Sequence, residues 1–238
     1  MSDKTIPLLL TSCIIVSAKY TALSDTELRL TETIKSLEKW TTTPDIEKIV
    51  ICDGSGFDIT PYVHHLKDKG IDLEVLSFKN DAADVLIKGK GYGEGQIVNY
   101  AISHSRILSN STAFAKCTSK LWVSNYSACI AGFNGRFSFD FNGWLTPKFI
   151  DTRFYIAALD QYKTLLSDAH IQVDDDAGYY LEHAFKDALS RVKSLDYAMV
   201  PTPRIQGVSG STAKSYQTSS FKSLLRDARS IFVKNFTL

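Results

Sequence analysis

The chain has 238 residues, of which 44% are hydrophobic and 22% charged, a composition ordinary for one large globular domain. Its 27 basic and 26 acidic residues give a net charge of +1, which excludes the general excess of positive charge typical of non-specific nucleic-acid binding and leaves room only for a local basic patch. Cys13, Cys52, Cys117 and Cys129 show no CxxC spacing, so we predict reduced core cysteines in a cytosolic protein.

The apolar run at residues 6–18 predicts a buried first strand. Within it, Leu10-Thr-Ser-Cys13 imitates a lipoprotein cleavage box. The apolar stretch before this box is shorter than the roughly 7–15 residues of a signal peptide, however, and the whole run is shorter than the roughly 18 residues of a membrane span. We therefore expect neither an export signal nor a transmembrane anchor, and a cytoplasmic location.

Predicted strands and helices alternate as far as residue 120. Helical spacing of Leu28, Ile34, Leu37 and Trp40 predicts an amphipathic helix, and continuous apolar runs predict buried strands. The alternation predicts an α/β fold with a mainly parallel central sheet, helices on both faces and a nucleotide site at the carboxyl ends of the strands. After the first strand, the predicted strands are 47–53, 72–78 and 112–117, and the predicted helices are 25–40, 62–69 and 96–108.

Beyond residue 120 the chain becomes aromatic-rich and irregular, with strand-like segments in 121–126, 135–145 and 151–159. A helix is predicted at 177–192. The Ser/Thr-rich residues 207–220 are typical of a mobile loop, and 221–236 form a basic amphipathic helix.

The segment Lys88–Gln96, KGKGYGEGQ, contains four glycines and two lysines. It lacks the Ser or Thr that follows Gly-Lys in a P-loop, and it follows the third strand rather than the first, which excludes a dinucleotide fingerprint. Glycine lets a ligand approach backbone N–H groups at a helix N-terminus, and Lys88 and Lys90 add charge, so the segment predicts a phosphate-binding loop. A flexible turn with solvated lysines is the alternative.

Two further polar features have two interpretations each. Asp53 ends a buried strand and can accept hydrogen bonds from a base or ribose, or it can cap the following turn. Asp151 and Arg153 are two apart in a predicted strand and therefore face the same side, as an internal salt bridge or as a polar floor for a sugar. Residues 174–176 are three aspartates that suit a helix N-terminus.

The order of these elements resembles the front half of the GT-A nucleotide-sugar glycosyltransferases. The resemblance rests on a first strand with a polar end at 17–20, a strand ending in Asp-Gly-Ser, the glycine segment, and the helix NYAISHS, where Asn99 and Ala101 loosely match the family's Gly-x-x-x-Ala-x-Asn-x-Gly-x-x-x-Ala. It covers about residues 8–195. It implies one GT-A-like, Rossmann-like domain at 1–205, with a nucleotide-binding half (1–120) and an acceptor half (121–205), followed by a mobile loop and basic helix at 206–238.

Most members of the family hold a divalent metal, Mn or Mg, with an Asp-x-Asp at the end of the next strand. The equivalent place here reads FAKCTSKLW, so Lys116 and Lys120 stand where acids are expected and metal dependence is left open. Similar stretches occur in the bacterial surface-polysaccharide branch, and the resemblance implies that these lysines neutralise the diphosphate. A basic strand end facing water is the alternative.

Glu182-His183 resembles the acidic pair from which inverting members draw their catalytic base. The resemblance implies that Glu182 is the base, and we group Asp151 and Arg153 with it as candidate catalytic residues. His183 is a candidate ligand of a metal or of the diphosphate, with a packing role as the alternative. The predicted donor-binding residues are Ser17, Tyr20, Asp53, Lys90, Gly91, Gly93, Glu94, Gly95, Lys116 and Lys120.

The implied function is transfer of a sugar from a nucleotide-sugar donor, in the first place a UDP-linked one, to a hydroxyl of a glycan or lipid-linked glycan. Segment 221–236 would then contact the inner face of the membrane peripherally, with a dimer contact or ordinary packing as the alternatives. One alternative is glycosylation of hydroxymethylated DNA bases, with nucleic acid as acceptor, and another is a non-catalytic nucleotide-sugar or glycan-binding domain of the same fold. The sugar, the acceptor, the anomeric outcome and the oligomeric state are left open.

Overall fold

A computed structural model describes residues 5–143, 147–192, 196–216 and 220–236. Within them, the strands are β1 (Leu8–Ser12), β2 (Lys48–Asp53), β3 (Asp72–Ser77), β4 (Ala113–Thr118), β5 (Leu121–Val123), β6 (Phe137–Asn142), β7 (Phe149–Ala158), β8 (Ile205–Val208) and β9 (Ser215–Tyr216). The α-helices are α1 (Thr26–Trp40), α2 (Thr60–Val63), α3 (Ala82–Lys88), α4 (Lys90–His104), α5 (Arg106–Ser109), α6 (Tyr126–Ala131), α7 (Leu159–Leu165), α8 (Leu181–Ser190) and α9 (Ser220–Phe236).

The central sheet has six strands in the order β3-β2-β1-β4-β7-β6. Strands β1 to β4 are parallel to one another, β7 is antiparallel to β4, and β6 is antiparallel to β7. The carboxyl ends of β1 to β4 and β6 therefore lie at one edge, together with the start of β7. A second, antiparallel sheet has the order β5-β8-β9. The predicted α/β fold with a mainly parallel sheet is confirmed.

Two hydrophobic clusters cover the two faces of the central sheet. Because side chains alternate along a strand, Leu9 packs with α4 and α8 on one face, whereas Leu8 and Leu10 pack with α1 and α6 on the other. Trp40 is fully buried in the second cluster and donates its indole N–H to the carbonyl of Leu121 at 2.9 Å. The helices on both faces follow from the buried, continuous apolar strands.

The prediction of a glycine loop before a helix at residue 96 is wrong, because α4 already begins at Lys90. Only Gly89, with φ +110°, interrupts the chain between α3 and α4. The next glycines serve close packing: a Cβ on Gly95 would lie 2.2 Å from Cβ of His170, and one on Gly91 would lie 3.0 Å from Cβ of Leu181. Each helical glycine costs about 1 kcal/mol relative to alanine, which tertiary packing offsets here.

Other elements differ from prediction in extent. The helix predicted at 62–69 is the short α2 followed by a 3₁₀ turn, His64–Lys69. Helix α8 begins at Leu181, because Asp174 and Tyr179 exchange backbone hydrogen bonds of 2.9 Å around a turn. The described part of the predicted mobile loop contains the hairpin of β8 and β9, while residues 144–145 of the aromatic segment and 217–219 of the loop lie outside the described residues.

All four cysteines are free thiols. Burial raises the pKa of Cys52, Cys117 and Cys129 to about 12, so these thiols are unreactive core groups. Across the ranges listed above, the helices are too short or too polar to cross a membrane.

Substitution of Gly95 by Ala tests the packing role of this glycine. We expect Gly95→Ala to destabilise the protein by about 1–3 kcal/mol, because overpacking against His170 outweighs the gain in helix propensity. Urea unfolding of Gly95→Ala, His170→Gly and the double variant gives the coupling between the two positions, and the cost should shrink when the side chain of His170 is absent. A stabilising Gly95→Ala would contradict close packing.

Candidate functional site

A cavity of about 630 Å³ opens at the carboxyl edge of the central sheet, where open α/β sheets bind their ligands. Its walls are the ends of β1, β4 and β6, the start of β7, the first turns of α4 and α8, and the hairpin of β8 and β9. This volume suits a small-molecule ligand. The polar and charged lining residues include Thr11, Ser12, Ser17, Arg29, Asn80, Lys90, Glu94, Thr118, Lys120, Asn142, Asp151, Thr152, Arg153, Asp175, Glu182 and His183.

An ion pair between Lys116 and Glu94 forms the floor of the cavity. Lys116 faces α4, its side chain is buried, and its ammonium donates to Glu94 and to the carbonyl of Thr152 at 2.8 Å. The same Glu94 oxygen accepts hydrogen bonds from Thr11 at 3.2 Å and Thr118 at 3.4 Å. Glu94 lines the cavity and Lys116 lies behind it, so the charge of this lysine is neutralised by the protein itself.

Lys120 and Arg29 form a cationic corner at the β1 side of the cavity. Arg29 is buried and its Nε and one terminal nitrogen donate to the carbonyls of Cys13 and Leu23, both at 2.7 Å. Lys120 is buried as well, and its ammonium makes no hydrogen bond or ion pair with the described residues. Burial first, and then the positive charge of Arg29, lower the pKa of Lys120 to about 7. No acidic side chain of the described residues therefore forms an ion pair with Lys120, although the charges of Glu94 and Asp53 partly offset that of Arg29.

The tip of the hairpin formed by β8 and β9 covers this corner. A Cβ on Gly210 would lie 3.1 Å from Cε of Lys120, so glycine permits the close approach. The carbonyl of Gly210 accepts from the N–H of Leu23 at 3.1 Å, and Lys90 donates to the hydroxyl of Ser211 at 2.9 Å. The part of the chain that we predicted to be a mobile loop thus supplies one wall of the cavity.

The three predicted catalytic residues lie together at the β7 side of the cavity. Glu182, in the first turn of α8, accepts from the hydroxyl of Thr152 at 3.1 Å, and burial, with smaller effects from Glu94 and Asp151, raises its pKa. Arg153 donates from Nε to Asp151 at 2.9 Å. Burial alone would raise the pKa of Asp151, but this pairing outweighs it and the pKa is lowered. The salt-bridge interpretation is confirmed, and the pair also lines the cavity, where a role as a polar floor for a sugar stays a prediction.

His183 lines the cavity, with its Nδ1 accepting a hydrogen bond from the backbone N–H of Tyr180 at 3.1 Å. A neutral imidazole that accepts at Nδ1 carries its proton on Nε2, which suits donation to a ligand and does not fit the predicted metal-ligand role. Residues 5–143, 147–192, 196–216 and 220–236 also contain no group of three or more His, Cys, Asp or Glu side chains placed to hold a metal ion.

Several predicted donor-binding residues lie outside the cavity lining. Asp53 is fully buried and caps two loops, since its oxygens accept from the N–H groups of Ile14 at 2.9 Å and Ser55 at 2.8 Å, which is the turn-capping alternative. Tyr20 is exposed, with φ +55°, and Gly95 is buried against His170. The structure does bring Ser17, Lys90, Gly91, Gly93, Glu94 and Lys120 together in the lining.

Arg29, Asn80 and Asp175 were missed by the sequence analysis. Asp175 accepts from the N–H of Lys90 at 3.1 Å and so caps α4 rather than α8. Its second oxygen, Oδ1 of Asn80 and the hydroxyl of Ser12 are buried without a hydrogen-bond partner in the described part of the chain, which makes them available to a ligand. A signal for Arg29 was present, since it shares a helix face with the small polar residues Thr33 and Ser36.

No protein-family model matches the sequence, and no curated protein matches it either. One matched structure is S. aureus TarS, with 14% sequence identity over 92% of this chain and 38% of that chain and a TM-score of 0.45. A second is the WbbM bifunctional glycosyltransferase, with 9% identity over 84% of this chain and 39% of that chain and a TM-score of 0.49. A third is a cytidylyltransferase from Leptospira borgpetersenii serovar Hardjo-bovis, with 13% identity over 97% of this chain and 92% of that chain and a TM-score of 0.49. The chain thus spans well under half of the TarS and WbbM chains. The set contains a glycosyltransferase, the class that the sequence resembles, but TM-scores below 0.5 identify neither reaction nor ligand.

Removing the acid of the buried ion pair should destabilise the fold. We expect Glu94→Gln to lower the free energy of unfolding by about 2–4 kcal/mol, because Lys116 is left as an uncompensated buried charge. Lys116→Met should cost less, since Glu94 is 25% exposed and keeps two hydroxyl donors. The double variant should be more stable than Glu94→Gln alone. Urea unfolding measures all three, with the surface pair Glu32→Gln and Lys35→Met as control; equal costs for both pairs would contradict a buried ion pair.

The lowered pKa of Lys120 predicts a pH dependence of stability. Between pH 7 and about 10.5 the unfolded chain binds this proton and the folded chain does not, so stability rises with pH across that window. Lys120→Met should remove this rise and stabilise the protein at pH 7 by on the order of a few kcal/mol. Urea unfolding from pH 6 to 10 measures the difference, with the exposed Lys79→Met as control. Parallel curves for Lys120→Met and the parent protein would contradict the shift.

Proposed function

We propose that the protein is a glycosyltransferase that moves a sugar from a nucleotide-sugar donor to a hydroxyl of a glycan acceptor. One observation carries the proposal: a single cavity joins the cationic corner of Lys120 and Arg29 to a half-buried carboxylate, Glu182, with a raised pKa. A diphosphate needs the first group and activation of a hydroxyl needs the second.

The cationic corner suits the diphosphate of the donor. A diphosphate beside Lys120 would restore the proton that burial disfavours, and Arg29 would add its charge although two of its N–H groups already bind carbonyls. These charges would stabilise the leaving nucleotide diphosphate as negative charge develops on it. Lys90 at the start of α4 would assist from the rim.

Glu182 would act as the general base. In direct displacement, the acceptor hydroxyl gives its proton to the carboxylate, its oxygen bonds to the anomeric carbon, and the bond from that carbon to the diphosphate oxygen breaks with its electron pair. A base with a raised pKa binds the proton more readily. The hydrogen bond from Thr152 holds one oxygen of Glu182 and leaves the other for the acceptor.

The pair of Asp151 and Arg153 would bind sugar hydroxyls beside the base. Two contacts hold the Arg153 guanidinium in place. It donates to Asp151, and it also lies 4.7 Å from the centre of the Tyr216 ring on the hairpin. A lowered pKa keeps Asp151 ionised and therefore able to accept hydrogen bonds from hydroxyls. No step of this mechanism requires a metal ion.

Replacement of Glu182 by Gln tests the chemical step. We expect Glu182→Gln to lower kcat by about 10²–10⁴-fold with little change in donor affinity, as measured by release of nucleotide diphosphate and by calorimetric titration with donor. Glu38→Gln, a change at an exposed glutamate on α1 outside the cavity lining, is the matched control. Normal turnover of Glu182→Gln would remove this residue from the mechanism.

Thermal-shift screening identifies the donor, because a ligand of the native state raises Tm by mass action. We expect one class of nucleotide sugar to raise Tm, with and without manganese, and Lys120→Met to abolish the shift. Stabilisation by CTP alone would favour nucleotidyl transfer instead.

Two further experiments address the alternatives to a glycan-directed enzyme. Donor hydrolysis without acceptor would exclude a non-catalytic binding domain, and salt-dependent retention of the protein on DNA would favour a nucleic-acid acceptor.

A further inference from the structure

Helix α9 lies on the protein with its charged face turned inward. Arg226 and Arg229 both pair with the buried Asp140 of β6, Arg229 at 2.9 Å, and Lys234 lies 3.5 Å from Asp196. The sequence suggested that these cations would meet a membrane surface. Instead they fasten the helix to the domain.

The outward face of α9 is apolar. Leu224 is 63% exposed, Leu225 55%, Ile231 47% and Phe232 45%, and Ala228 between them is also exposed. A surface helix ordinarily turns such a stripe toward the core. We estimate an apolar stripe of roughly 400 Å², a size often associated with an interaction site.

The stripe is symmetric about Ala228. Leu224 and Leu225 lie four and three positions before it, and Ile231 and Phe232 lie three and four positions after it. If two α9 helices cross antiparallel with a two-fold axis at Ala228, Leu225 meets Ile231 and Leu224 meets Phe232 of the other copy. The small side chain at the axis permits close approach of the helices. A two-fold contact requires this self-complementarity.

We propose that the outward face of α9 is a two-fold interface between two copies of this chain. A lipid surface is the less favourable occupant, because membrane-bound helices keep Lys and Arg in contact with anionic headgroups, whereas Arg226, Arg229 and Lys234 are paired with Asp140 and Asp196. Two stripes would bury roughly 800 Å², below most stable interfaces, so the dimer should be weak and dependent on protein concentration.

Sedimentation velocity over two orders of magnitude of concentration, centred on the micromolar range, tests the proposal. We expect a concentration-dependent dimer, which Ala228→Glu abolishes by placing two carboxylates at the axis. Ala83→Glu is the matched control, an exposed alanine on α3 at the other end of the sheet. Because residue 228 is exposed, the monomer of Ala228→Glu should unfold like the parent protein.

Disulfide trapping tests the antiparallel register. Chains with Leu225→Cys mixed with chains with Ile231→Cys should form a cross-linked dimer on mild oxidation, whereas either variant alone should not. Residue 225 of one copy would lie about 9 Å along the axis from residue 225 of the other, beyond the reach of a disulfide. Cross-linking of Leu225→Cys alone would indicate a parallel pair and contradict the proposed axis.

Three results would each overturn the proposal. The first is a monomer at every concentration, and the second is a dimer that Ala228→Glu leaves intact. The third is a monomer that binds phosphatidylglycerol vesicles through the same stripe, with binding lost in Ala228→Glu and kept in Ala83→Glu, which would identify a lipid surface as the occupant.

Discussion

The buried ion pair between Lys116 and Glu94 determines where the cavity can be. It joins α4 to the central sheet, because Glu94 accepts from Thr11 of β1 and Thr118 of β4, and Lys116 donates to the backbone of β7. Three neighbouring strands and one helix are thus joined by hydrogen bonds to this one ion pair. Burying the charge of Lys116 is costly unless an acid pairs with it, so Glu94 and the first turns of α4 are held at the carboxyl edge of the sheet.

The close position of α4 explains its glycines. Gly89 meets Asp175, Gly91 meets Leu181 and Gly95 meets His170, all at distances that exclude a Cβ without movement of the neighbour. The same approach allows Asp175 to cap α4 at Lys90 and places the starts of α4 and α8 in one cavity. The polar floor and the small residues above it are therefore two parts of one packing arrangement.

Sequence patterns predicted the sheet and several residues of the cavity lining, and they failed where tertiary contacts decide the structure. Continuous apolar strands require cover on both faces, so the fold follows from local pattern. Glycine-rich residues 88–96 have low helix propensity, and only packing against His170 and Leu181 makes most of them helical. The partner of Lys116 depends on a contact between residues far apart in the chain, which no spacing in the sequence encodes, whereas the helical spacing of Arg29 with Thr33 and Ser36 did carry a signal for the burial of Arg29.

Lys116 and Lys120 are both buried lysines, but they differ in whether an acidic side chain pairs with them. Lys116 points to the face of α4, where Glu94 neutralises it. Lys120 follows the strand and lies beside Arg29 of α1, and among the described residues Glu94 and Asp53 act on it through their charge without forming an ion pair with it. A lysine buried next to another cation lowers the stability of the folded protein at neutral pH. Retaining it is physically reasonable where a bound anion supplies the missing charge, which is why the unfavourable position of Lys120 is the strongest indication of a phosphate-bearing ligand.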